Sequence, residues 1–130
     1  MKVEDLMIND FVWYNGRNLK VAAIPNEIDT VILYELGTIG YEVGISDIKP
    51  IPITKEILEK NGFEEVTSHS YYYTDTKAED HLTIIMSLED DGYWRVRIVN
   101  GYEFIRVYIK YIHELQHAIK LCKINKEITL

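Results

Sequence analysis

A single cysteine, Cys122, excludes any internal disulfide and fits a reducing compartment. Long apolar runs are missing as well. The longest, at residues 30–34 and 82–86, have strand length and fall far short of a membrane span. The opening Met1-Lys2-Val3-Glu4-Asp5 lacks the basic start and apolar stretch of a signal peptide, so a cytoplasmic chain is expected. Positive charge is scarce: 14 Lys and Arg stand against 21 Asp and Glu, a net of −7. That balance argues against simple binding to a phosphate backbone. There is no internal repeat and no low-complexity tract. Gly37, Gly40 and Gly44 are wrongly spaced for a phosphate loop and no Lys-Ser or Lys-Thr follows them; they read as turn and bulge glycines. Asp90-Asp91-Gly92 is too sparse a pattern for calcium.

Apolar residues, at 47% of the 130, are enough to bury a core. The length suits one domain, or two small subdomains sharing a core. Charge is split along the chain. Residues 1–92 hold 7 Lys and Arg against 18 Asp and Glu, whereas residues 93–130 hold 7 against 3. An acidic body and a basic end can pair with each other or face different partners.

Phe11-Val12-Trp13-Tyr14, then Asn15-Gly16, then 17–24 is a hairpin signature, because a type I′ turn needs φ > 0 at both central positions. Further strands are expected at 30–36 and 40–45, giving a small SH3-like barrel or curled sheet. Lys49-Pro50-Ile51-Pro52-Ile53 is an extended connector. Thr54 is the N-cap of a short helix to Lys60, stopped by Asn61-Gly62. Residues 67–80, with three consecutive tyrosines, read as a loop or a poorly formed strand. Alternation at 82–88, 94–98 and 105–109, with turns at Asp91-Gly92 and Asn100-Gly101, predicts an antiparallel meander. A helix over 111–123 should cover it, and Glu127–Leu130 could add an edge strand. The expected fold is α+β: a curled sheet over 1–50 and a helix, three-stranded meander and C-terminal helix over 51–130, as one compact unit.

His113-Glu114-Leu115-Gln116-His117 spells H-E-x-x-H, two imidazoles one helical turn apart with a glutamate to activate water. It marks a zinc hydrolase as one alternative. At 100° per residue, however, Tyr108, Ile112, Leu115, Ile119 and Cys122 share one stripe, with His113 and His117 well round from it towards solvent. The metzincin continuation would place Gly at 120 and His at 123, where this chain has Lys120 and Lys123. His81 or His69 could supply a third ligand but match no known pattern. The scaffold reading is therefore preferred, with no metal or cofactor and no catalysis. His113 is expected to help cap the helix.

On the meander, one face should carry His81, Thr83, Tyr93, Arg95, Arg97, Phe104, Arg106 and Tyr108. Arginines among aromatics can stack bases and neutralise phosphates, yet Tyr, Phe and Arg are also the residues enriched at protein contacts. The acidic total favours a protein partner over nucleic acid.

Several segments together resemble small proteins of no assigned activity that are abundant in Bacteroidetes genomes, phages and prophages. They are the opening Leu6-Met7-Ile8-Asn9-Asp10-Phe11-Val12-Trp13-Tyr14-Asn15-Gly16, the connector Ile48-Lys49-Pro50-Ile51-Pro52-Ile53-Thr54, the helix Glu56-Ile57-Leu58-Glu59-Lys60-Asn61-Gly62-Phe63 and the close Ile109-Lys110-Tyr111-Ile112-His113-Glu114-Leu115-Gln116. The resemblance implies that His-Glu-Leu-Gln is scaffold and that the second histidine is incidental. It also implies a phage-type accessory protein in a bacterial host cytoplasm, acting by protein binding. One concrete form is inhibition of a host defence nuclease, whose nucleic-acid channel an acidic surface can occupy.

Overall fold

Asn15 and Gly16 adopt φ of 48° and 81°, so the first hairpin turns as its Asn-Gly requires. It joins β1 (Phe11–Tyr14) to β2 (Arg17–Ala23), with Tyr14 opposite Arg17. The computed structural model describes residues 1–25, 29–35, 38–75, 82–100, 102–124 and 126–130, with backbone alone at 35, 38, 39, 41 and 102–104. The chain divides into two compact units, Met1–Pro52 and Ile53–Leu130.

The first unit is a curled half-barrel in the order β1-β2-β3-β4, with β3 at Thr30–Glu35 and β4 at Thr38–Gly44. Two irregularities bend it. Ala22 is extra between the pairs Val21↔Leu33 and Ala23↔Ile32. Gly40 and Tyr41 stand against Leu33 alone, between Ile32↔Glu42 and Tyr34↔Ile39. Bulges of this kind raise the local twist, and Gly40 is thus a bulge glycine; Gly37 lies outside the described residues. After a single 3₁₀ turn at Ile45–Asp47, the chain returns to β1, where Trp13 and Lys49 exchange backbone hydrogen bonds of 2.8 and 2.9 Å. Leu6, Val12, Val21, Val31, Leu33, Val43 and Ile48 form the core inside this curl. Each fully buried Val or Leu there contributes about 1.5–3 kcal/mol. Asp10 is buried beside it, accepting from the Met7 amide at 2.7 Å.

The second unit opens with α1 (Lys55–Lys60), whose Thr54 N-cap accepts from the Ile57 amide at 3.2 Å. Gly62, at φ 83°, ends it in a Schellman motif: Phe63 N–H donates to Leu58 and Gly62 N–H to Glu59. The sheet that follows has the order β5-β6-β7-β8-β9, with β5 at Glu64–Thr67, β6 at Ser70–Thr74, β7 at Thr83–Leu88, β8 at Trp94–Asn100 and β9 at Tyr102–Ile109. The expected three-stranded meander is β7 to β9. Within 67–80, read as a loop or a poorly formed strand, Ser70–Thr74 is a strand, β6, which pairs with β7 over its whole length. Of its three tyrosines, Tyr71 is fully buried and meets the Trp94 ring edge-on at 6.2 Å.

Alternation then divides the sheet. Tyr71, Ile84, Met86, Trp94, Val96, Ile98 and Ile109 are buried on one face. α2 (Ile112–Leu121) buries Ile112, Leu115, Ala118 and Ile119. Tyr108 does not join that stripe, since it belongs to β9 and is exposed. α2 also ends in a Schellman motif, with Ile124 N–H to Ile119 and Lys123 N–H to Lys120, but its left-handed residue is Lys123 at φ 56°. The tail forms no edge strand. Instead Asn61, itself buried, grips it: Nδ2 donates to the Thr129 carbonyl at 2.8 Å and Oδ1 accepts from the Thr129 amide at 2.7 Å.

Candidate functional site

The chain's one catalytic-looking motif sits in the first turns of α2, and the structure accounts for its glutamate. Glu114 is the third helical residue, and its Oε1 accepts from the backbone N–H groups of Lys110 and Tyr111, each at 3.0 Å. This is the glutamate half of a capping box: a carboxylate satisfying orphan amides at the positive end of the helix. Glu114 thus provides a cap at this end of the helix.

His113 also departs from the helical-wheel expectation. It is only 5% exposed, so the first turn is enclosed on the side opposite its apolar stripe as well. His117 is half-buried; the two rings meet edge-on at 5.7 Å, and Tyr111 stacks on His113 at 6.1 Å. Among the described residues no group of three or more His, Cys, Asp or Glu is placed to hold a metal ion. His69 lies on the exposed β5–β6 turn, and His81 lies outside the described residues. Lys120 and Lys123, where the metzincin pattern needs Gly and His, belong to the helix C-terminus, with Lys123 in its left-handed cap.

The outward face of the second sheet gathers the other candidates. Register places Glu64, Tyr72, Ile85, Arg97 and Arg106 in one cross-strand row, and Ser70, Ser87, Arg95 and Tyr108 in the next. Tyr93 and Lys110 extend the face beyond it, with the Lys110 ammonium 4.9 Å from the Tyr93 ring centroid. Tyr108 is 54% and Tyr93 41% exposed. Arg106 is exposed, whereas Arg95 and Arg97 are half-buried. Thr83 lies one row further on, its hydroxyl 3.2 Å from that of Thr74. Phe104 falls in β9 at the register break between Ile98↔Ile105 and Val99↔Glu103, and its side chain is outside the described residues.

Acidic groups rim this face. Glu89 meets Arg95 at 3.2 Å, a pair about one-third exposed and worth no more than about 1 kcal/mol. Tyr72 donates to Glu64 at 2.6 Å, and that bond, the glutamate's charge and burial push the Tyr72 hydroxyl above its usual range. Arg97 and Arg106 stand directly opposite each other. Sequence reading missed Tyr72, Glu64 and Lys110 as members of this face. Three tyrosines in succession show no alternation, and only the β6–β7 register reveals which of them points outward.

The face therefore offers guanidinium groups and half-exposed phenol rings on a hydrogen-bonded sheet. No helix is long and apolar enough to cross a membrane among the described residues. Comparison with protein-family models, with curated proteins and with solved structures found no match in any of the three.

Proposed function

We propose that this chain works by binding a protein partner through the outward face of its second sheet rather than by catalysis. The observation that carries the reading is the convergence of Arg95, Arg97, Arg106, Tyr93 and Tyr108 on one face while Trp94 and Val96 between them are buried on the other. Arginine and tyrosine are enriched at contact hot spots: tyrosine presents a large amphipathic surface with two torsions to freeze, and arginine a planar fork of five donors. The partner's contacting surface carries carboxylates, which suit a face drawn largely from residues 93–130, where 7 Lys and Arg stand against 3 Asp and Glu. A protein is favoured over a nucleic acid because the chain is net −7, a balance that repels an extended polyanion. The phage-type setting rests on the sequence resemblance alone, and nuclease inhibition on that resemblance together with the acidic total.

Affinity capture from the host with the wild-type chain, Arg95→Glu/Arg97→Glu/Arg106→Glu and Lys20→Glu tests the reading. A specific protein retained by the wild type and Lys20→Glu, and lost by the triple reversal, is the expected result. Retention by the triple reversal overturns it. So does recovery of nucleic acid whose binding falls steeply with salt.

A further inference from the structure

Backbone polarity adds a second property to the same sheet. Glu89 N–H donates to the Tyr93 carbonyl at 2.9 Å, which fixes the phase of the β7–β8 ladder. Alternation from there turns the backbone groups of Trp94, Val96 and Ile98 towards β9. Their partners Ile109, Val107 and Ile105 use their own groups on β8, so Arg106, Tyr108 and Lys110 direct theirs away from it. The Lys110 carbonyl confirms the phase, accepting from the Ile53 amide at 3.0 Å. Beyond β9, no further strand lies among the described residues.

The two edges of the sheet are not alike. β5 is short, fully exposed, interrupted by a register shift and acidic, the devices that blunt an edge against pairing. β9 has eight residues. Its inward side chains Ile105 and Val107 are only half-buried, although their row neighbours Ile98 and Val96 are completely buried. An added strand would complete the burial of both.

We infer that the partner adds an extended segment antiparallel to β9, with aliphatic residues beside Ile105 and Val107 and carboxylates beside Arg106 and Tyr108. This rests on the proposed reading of the face as a protein-binding surface and specifies how the partner engages it. Backbone hydrogen bonds supply affinity in such strand addition, and alternate side chains supply specificity. Charge selects the occupant. Residues 93–130, which include β9, hold 7 Lys and Arg against 3 Asp and Glu, so a second copy of β9 brings like charge to this edge, whereas an acidic strand brings opposite charge.

The test uses a capped synthetic peptide of alternating valine and glutamate, titrated onto the full chain. In the inferred register the glutamates lie directly opposite Arg106 and Tyr108, so their N–H groups donate to β9 and the valine N–H groups point away. Binding is expected. It should be abolished by N-methylating the glutamate nitrogens and kept when the valine nitrogens are methylated. Arg106→Glu should weaken it about tenfold, in the range for loss of a charged contact. Tyr108→Pro, which removes an edge N–H without taking a bond from the β8 ladder, should abolish binding where Tyr108→Ala only weakens it. Failure to bind, indifference to glutamate N-methylation, or equal binding of a valine–lysine peptide overturns the inference. If the peptide fails while a captured partner still depends on Arg95 and Arg97, strand addition falls and the face reading stands. If reversing Arg95 and Arg97 affects neither, both fall.

Discussion

Glu114 shows how one residue type can serve two quite different chemistries. In H-E-x-x-H the glutamate activates a metal-bound water; here its Oε1 holds the Lys110 and Tyr111 amides. The two roles make separable demands. A cap needs an acceptor, which glutamine also provides, whereas a general base needs a carboxylate. Glu114→Gln is therefore expected to leave urea-unfolding stability within about 0.5 kcal/mol of wild type, and Glu114→Ala to lower it by about 1 kcal/mol. Equal stability of Glu114→Ala and wild type would show that the cap contributes nothing. The motif itself was legible in the sequence, and so was the doubt cast by Lys120 and Lys123. The burial of His113 was not, because a helical wheel ranks faces by apolar content and cannot tell how many sides of a first turn are enclosed.

At the scale of the element, the two helices end in the same Schellman geometry with different residues. Gly62 takes the left-handed position after α1, and Lys123 takes it after α2. A side chain at positive φ costs about 1–2 kcal/mol, and glycine avoids most of that cost. Lys123→Gly is accordingly expected to raise stability by up to about 1 kcal/mol, and Gly62→Ala to lower it by about 1 kcal/mol. For Gly62 the loss comes from the backbone and not from crowding, since an added Cβ would meet the Tyr73 ring only at ordinary contact, 3.9 Å. Denaturant unfolding of the two variants checks both signs; a destabilised Lys123→Gly would mean that lysine's own contacts outweigh the strain. The α1 boundary was readable from Thr54 and Asn61-Gly62. The end of α2 was placed two residues late, because lysine gives no stop signal in sequence.

For the whole molecule, the resolved titration shifts point to its alkaline limit. Burial, and then the nearby carboxylates of Glu65 and Glu59, push the Tyr71 hydroxyl above its ordinary value of 10.0. Tyr72 is raised by its bond to Glu64, and the Cys122 thiol by burial above 9.0. Each is an acid that the fold keeps protonated. Stability from these groups is complete below their unfolded pKa values, and it is lost as pH rises through them towards the folded values. The chain is thus expected to weaken above about pH 9–10, and Tyr71→Phe to flatten that decline relative to wild type in unfolding measured against pH. An identical slope in the variant would remove Tyr71 from the account.

Local chemistry was enough to determine the Asn15-Gly16 hairpin, the capped helix after Thr54, the alternating strands β7 to β9 and the α+β class, because each rests on residues within a few positions of one another. Tertiary structure alone decided the rest. β6 is a strand because its groups find β7, although Tyr71-Tyr72-Tyr73 has no period of its own. The C-terminal tail is held by Asn61, 68 residues away, instead of by a sheet edge. Which arginines share a face, and which backbone groups β9 presents, follow from register and ladder phase. Those are relations between strands, and no single strand carries them in its own sequence.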